Sequence, residues 1–96
     1  MKVIQEKKIE GCLEGNNVWD LLLDDVITKE IIFYLGKKGK LLYIDSFEKP
    51  YFRIIVRSKY TVKGTQSNKS IRVFLPDNQN INLLDDLKSY IAEYSI

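Results

Sequence analysis

The 96-residue chain contains no histidine, and it has a single cysteine, Cys12. Histidine is the only side chain whose unperturbed pKa lies between about pH 5 and 8, so its absence excludes catalytic dyads and triads built on it. One cysteine cannot form a disulfide within the chain, and without histidine it cannot complete a zinc site of the usual type. We therefore predict a protein that is not an enzyme and that has no cofactor or bound metal. The enzymatic alternative is a nucleophilic Cys12, activated by a nearby lysine or a helix N-terminus.

The sequence also lacks long apolar runs and low-complexity tracts. No stretch reaches the roughly 18 apolar residues that a membrane-spanning helix needs, and residues 1–8 lack the apolar segment of a secretory signal. The hydrophobic fraction of 45% and the charged fraction of 29% are those of an ordinary globular protein. We expect one domain over residues 1–96, cytoplasmic and without a membrane partner.

The first third of the chain predicts one strand and one helix. Residues 2–9 mix polar and β-branched side chains ahead of a glycine, which favours a strand. Asn17 is a good helix cap, and Asp20 follows at the third helical position, where a carboxylate stabilises the helix N-terminus. Apolar residues then recur at three- and four-residue spacings, which predicts an amphipathic helix over residues 18–27. These apolar residues are Val18, Trp19, Leu22, Leu23 and Val26.

Residues 28–35 fit either a helix or a strand. Thr28 is a capping residue and Gly36 is suited to a left-handed stop, so the two ends agree on a second short helix. The segment between them, Ile31–Leu35, is nevertheless rich in strand formers. We favour the helix, and the alternative is a hairpin that turns at residues 36–39.

From residue 40 onward the pattern indicates an antiparallel meander followed by a helix. Strands are predicted at Leu41–Asp45, at a long Tyr51–Lys63 and at Ser70–Leu75. Residues 82–94 carry an apolar stripe at helical spacing. The predicted class is α+β, with an N-terminal strand, one or two short helices, an antiparallel β-meander over about residues 40–75, and a C-terminal amphipathic helix packed on one sheet face.

Acidic residues are missing from one part of the chain. Residues 49–76 contain seven Lys or Arg and no Asp or Glu, although the net charge of the whole sequence is only +2. In the predicted long strand, apolar residues hold most even positions and basic residues hold most odd ones, so one face packs and the other meets water. We predict a basic sheet face as the binding site. Its candidate residues are Arg53, Arg57, Lys59, Lys63, Arg72 and Phe74.

The basic face and the strand edges support three hypotheses about function. The first is a small non-catalytic domain that binds a protein partner, which the charge predicts to be acidic. The alternative is single-stranded nucleic acid, bound through phosphate contacts and stacking on Phe74. The sequence pI of about 8.6 falls short of the value above 9 typical of such domains, which favours the first hypothesis. The third is a homodimer in which the long strand 51–63 overhangs its neighbours and pairs with a second copy.

Overall fold

Six strands and two helices make up the part of the chain that the computed structural model describes, residues 1–9, 17–57, 59–75 and 82–94. All neighbouring strands are antiparallel, and they form one sheet in the order β1-β2-β6-β5-β4-β3. The elements are β1 (Val3–Ile9), β2 (Val18–Leu23), α1 (Lys29–Gly36), β3 (Lys40–Ile44), β4 (Tyr51–Val56), β5 (Tyr60–Thr65), β6 (Ser70–Phe74) and α2 (Asn82–Ala92).

Both helices pack on the same face of this sheet. α1 contacts β3 and β4, whereas α2 contacts β1 at the opposite side. Between the helices and the sheet lies one core of buried aliphatic and aromatic side chains, each of which contributes roughly 1.5–3 kcal/mol on burial. The predicted α+β class is confirmed, with its N-terminal strand, its meander and its C-terminal helix on one sheet face. The other face of the sheet, which no described helix covers, is called the open face below.

The helix predicted over residues 18–27 is wrong, because Val18–Leu23 forms the strand β2 between β1 and β6. The helical spacing left out Leu21, which is fully buried against the helix layer, and it included Val26, which is 38% exposed. Cross-strand pairing, with Leu21 opposite Ile71, decides the conformation of this short apolar segment.

The second predicted helix is confirmed as α1, but not its predicted end. The Thr28 Oγ1 accepts a hydrogen bond from the Ile31 N–H at 3.3 Å, as a helix cap does. Gly36 is the last residue of the helix and not a left-handed stop, since the next residue, Lys37, is right-handed with φ −64°. The last turn of the helix has the tighter hydrogen bonding of a 3₁₀-helix, since the Lys37 N–H donates to the Tyr34 carbonyl, three residues back, at 3.3 Å.

The long strand predicted over residues 51–63 is also wrong, because it consists of two strands, β4 and β5, joined by a tight turn. The Lys59 N–H donates to the Val56 carbonyl at 3.0 Å across this turn. Val56 lies directly opposite Tyr60, so both side chains point to the same face. The even-numbered residues therefore point to the same face before and after the turn, and no glycine or proline marks the reversal.

The hairpin removes the basis for the predicted pairing of residues 51–63 with a second copy. β4 lies between β3 and β5, and β5 lies between β4 and β6. Both strands therefore form backbone hydrogen bonds with a neighbouring strand on each side, and neither has a free edge at which a second copy could pair. The two edge strands of the described sheet are β1 and β3.

Candidate functional site

The open face carries a row of charged side chains that crosses five of the six strands. Residues directly opposite each other in an antiparallel sheet point to the same face, and neighbouring strands lie about 4.8 Å apart. The register therefore places Arg53, Lys63 and Arg72 side by side on three adjacent strands. In strand order from β1 to β3, the row is Lys7, Asp20, Arg72, Lys63, Arg53 and Leu42.

Arg72 is held in place by the one acidic side chain of this row. Its Nε lies 2.8 Å from Oδ1 of Asp20, and its Nη2 lies 3.2 Å from Oδ2, which is a two-point contact. The two side chains are 47% and 34% exposed, so water weakens their attraction, and we expect about 1 kcal/mol or less from the pair. Asp20 therefore orients Arg72 and lowers the positive charge at this end of the row.

Lys63 lies beside Phe74 on the open face. The Lys63 Nζ is 4.7 Å from the centroid of the Phe74 ring, a cation–π distance. The ring is half-buried, and the lysine covers part of what remains accessible. Phe74 therefore contributes apolar surface to this face, and a stacked base would have to compete with Lys63 for its ring.

Arg53 differs from its neighbours because one of its guanidinium nitrogens lacks a hydrogen-bond partner in the described part of the chain. The Nε of Arg53 is buried and has no hydrogen-bond partner among the described residues. The residues opposite it are Lys63 in β5 and Leu42 in β3, and neither side chain offers an acceptor. A buried donor without an acceptor costs about 1–3 kcal/mol. A buried donor left unsatisfied in this way calls for an explanation, and an acceptor from a ligand or a water molecule is one.

A shallow apolar depression of about 380 Å³ adjoins the charged row. Ile55, Thr61 and Phe74 form its floor, each two residues along its strand from a member of the row, a distance of about 7 Å. Arg57 and Lys59, in the turn between β4 and β5, border it at the far end. The open face thus offers an apolar floor with cations on two sides.

The structure brings together most, but not all, of the residues that the sequence predicted for this site. Arg53, Lys63, Arg72 and Phe74 share the open face. Two predicted members lie instead in the β4–β5 turn, because the predicted long strand is a hairpin, and they reach only the border of the depression. These two are Arg57 and Lys59.

The sequence prediction missed several residues of the open face, and three of them bear on the site. Ile55 and Leu42 are each 42% exposed, and Asp20 pairs with Arg72. The sequence held a signal for Ile55, since it is an apolar residue at an odd, outward position in a strand whose other odd positions are polar or aromatic. Asp20 was missed because its segment was predicted to be a helix.

A second cavity, of about 320 Å³, lies on the helix side of the sheet. It is bordered by two cations, Lys38 and Lys59, and by two carboxylates, Asp86 and Glu93. Its wall includes Tyr60, and burial raises the pKa of this tyrosine, which keeps the hydroxyl neutral. Charges of both signs surround this cavity, and they do not select one kind of ligand.

Metal-binding and membrane-spanning features are not found in the part of the chain that the structure describes. No group of three or more His, Cys, Asp or Glu there is placed to hold a metal ion, and no helix there is long and apolar enough to cross a membrane. The predicted cytoplasmic localisation stays a prediction. Cys12 lies outside the described residues. Comparison of the chain with known protein families, with curated protein sequences and with solved structures gives no match.

Proposed function

We propose that this chain is a small non-catalytic binding domain whose open face binds an acidic segment of another protein. The observation that supports this most is the unpartnered Nε of Arg53, at the point where the charged row meets exposed aliphatic side chains. A carboxylate accepts two hydrogen bonds from one guanidinium. Because the Nε is buried, a partner carboxylate supplies its missing acceptor only if the guanidinium turns outward on binding.

The proposed partner has a defined chemistry. One of its carboxylates contacts Arg53 and Lys63, and an apolar side chain lies on the floor formed by Ile55 and Phe74. The charged row and the apolar floor are about 7 Å apart, which matches the distance between residues i and i+2 of an extended chain. We therefore infer an extended segment in which an acidic and an apolar residue are separated by one position.

Single-stranded nucleic acid fits the same face less well. Its recognition on a sheet depends on aromatic planes that remain open for bases. Phe74 has the Lys63 ammonium against its ring, and the other residues of the floor are not aromatic. Asp20 adds a negative charge to the row, which repels phosphates.

The test is a selection from a random peptide library followed by measurement of affinity. We expect selected peptides to be enriched in Asp or Glu two positions from an apolar residue, and to shift NMR signals of the open face. Arg53→Gln should weaken binding at least about tenfold, the value of one charged hydrogen bond. Lys69→Gln is the matched control, because it removes one positive charge of the same basic segment at an exposed turn position.

Two outcomes would contradict the proposal. The first is an equal loss of affinity in Arg53→Gln and Lys69→Gln, which would show that affinity depends on net charge and not on the position of Arg53. The second is selection of peptides without acidic residues, together with tight binding of mixed oligonucleotides. Oligonucleotide affinity that falls with salt at a log-log slope of about −0.7 per phosphate, and that is lost in Arg53→Gln, would assign the face to nucleic acid.

A further inference from the structure

The two edge strands of the sheet differ in how they are protected. β1 has an irregular register between Val3 and Gln5, and charged residues follow at positions 6–8. Bulges and charges of this kind prevent an edge from pairing with another chain. β3 pairs with β4 in an unbroken register over all of its length, and its sequence, Lys-Leu-Leu-Tyr-Ile, has one charge at its start. Its outer edge has no partner strand among the described residues.

Exposed apolar side chains are concentrated around this unprotected edge. Leu42 lies in β3 itself, and Ile55 lies next to it in β4. On the helix side, Phe33 of α1 is exposed and packs edge-on against Tyr43 of β3, with ring centroids 5.5 Å apart. Phe47 is exposed in the segment that follows β3. Apolar surface thus flanks the edge on both faces of the sheet, as it does where another chain packs.

The charges at the two ends of β3 complement each other. Cations lie at its start, Lys38 and Lys40, and acids follow its end, Asp45 and Glu48. If two copies of β3 pair in antiparallel fashion about a two-fold axis at Leu42, the basic end of each copy lies beside the acidic end of the other. Directly opposite positions then hold a lysine and an isoleucine, residues 40 and 44, and no like charges face each other.

We propose that β3 is a dimerisation edge, at which two copies of this chain pair β3 to β3 around Leu42. The product is a continuous sheet of twelve strands, twice the six that the structure describes in one chain. Because the two-fold axis is perpendicular to the sheet, both open faces lie on the same side of the dimer. The dimer does not depend on what the open face binds, since Arg53 and the other charged members of the row lie one strand or more from the pairing edge.

The first test is sedimentation velocity of the full chain over a range of concentrations. We expect a dimer at high concentration that dissociates on dilution. Leu42→Lys places two ammonium groups opposite each other at the axis and should raise the dissociation constant at least about tenfold. Ile4→Lys is the matched control: Ile4 lies on the other edge strand and is 55% exposed, and its substitution should leave the dimer intact. Circular dichroism establishes that each variant is folded.

The second test locates the axis by cross-linking. In a Cys12→Ser background, Leu42→Cys should form a disulfide-linked dimer on mild oxidation, because opposing Cβ atoms lie about 5 Å apart. Ile55→Cys, equally exposed on the same face but one strand further in, should not. A wild-type chain that stays monomeric at high concentration, or a cross-link that forms as readily through Ile55→Cys, would overturn the proposal. Arg53→Gln should remain dimeric, so this test is separate from that of the binding face.

Discussion

The Nε of Arg53 is a buried donor without an acceptor among the described residues, at a strand position where a side chain of similar length without charge would leave nothing unpaired. We predict that Arg53→Met leaves the free energy of unfolding unchanged or raises it by up to about 1 kcal/mol. The same substitution should abolish binding of the selected acidic peptides. Urea unfolding followed by Trp19 fluorescence measures the first effect, and titration with peptide measures the second. A loss of stability beyond about 1 kcal/mol would show that Arg53 serves the fold and not a ligand.

Gly64 is a residue at which the core allows no side chain. It lies opposite Phe52 and points toward the helix layer, where a Cβ would be 2.8 and 2.9 Å from two atoms of the Phe52 ring. Phe52 is fully buried, so its ring can move away only by displacing other core side chains. We predict that Gly64→Ala lowers the free energy of unfolding by about 1–3 kcal/mol. Thr65→Ala, the next residue on the open face, is the control and should cost less; equal costs would contradict the steric explanation.

At the scale of elements, two tyrosines join α1 to α2. The rings of Tyr34 and Tyr90 stack with centroids 4.3 Å apart and planes 9° from parallel. Each hydroxyl donates to the backbone carbonyl of the other residue, Tyr34 at 2.7 Å and Tyr90 at 2.6 Å. Both bonds require a protonated hydroxyl. Removal from water raises the pKa of both tyrosines, and the nearby Glu93 carboxylate raises them further.

This pair makes the contact between the helices sensitive to alkaline pH. Because both pKa values are higher in the folded state, the unfolded chain loses these protons first, so the stabilisation is complete below about pH 10 and is lost as pH rises above it. We predict that the double variant Tyr34→Phe/Tyr90→Phe is less stable at neutral pH and loses less stability between about pH 9 and 12. Thermal unfolding across this range is the measurement, and Tyr51→Phe on the open face is the control.

A residual alkaline loss is expected in the double variant, because burial also raises the pKa of Tyr60. An alkaline decline as steep as that of the wild-type chain would contradict the role given to the two helix tyrosines.

The elements that the sequence predicted correctly are those with local signals. α1 has its cap at Thr28, and α2 has its apolar stripe, so each helix is specified within its own residues. β2 has no such signal: its six residues fit a helical spacing as well as a strand, and only its neighbours β1 and β6 decide between them. The turn between β4 and β5 was missed for a different reason. Val56 and Tyr60 are joined by an odd number of residues, so even-numbered residues point to the same face in both strands and the alternation keeps its phase.

The candidate site, like the fold, was predictable only where it depends on local sequence signals. Alternation within a strand is local, so the outward positions of Arg53, Lys63 and Arg72 followed from the sequence. Which of them lie side by side, and that Asp20 joins them, depends on the cross-strand register. The lack of a partner for the Arg53 Nε depends on every neighbouring side chain at once, and no pattern in the sequence indicates it.

At the scale of the whole molecule, the sheet is assembled from two sequential blocks that meet at one seam. β1 and β2 pair with each other, and β3 to β6 form a meander. Among the described strands, the pairing of β2 with β6 is the one that joins the blocks, and it connects residues about 50 positions apart. The helices bind the blocks together as well, since α2 follows the meander in sequence and contacts β1.

If this seam and the shared core make the molecule one cooperative unit, a defect at the seam should weaken all of it at once. Leu21 is fully buried and lies opposite Ile71 at the seam, so we predict that Leu21→Ala lowers the free energy of unfolding by about 2–5 kcal/mol. Leu22→Ala, one position along on the open face, is the control and should cost less.

Trp19 in β2 reports on the first block, and far-ultraviolet circular dichroism reports on the whole chain. If the molecule is one cooperative unit, the two probes should give the same urea transition as each other within each variant. In Leu21→Ala, a Trp19 transition at a lower urea concentration than the circular dichroism transition would contradict this expectation. It would show that β1 and β2 detach while the meander remains folded, so that their attachment depends on the seam and not on the common core.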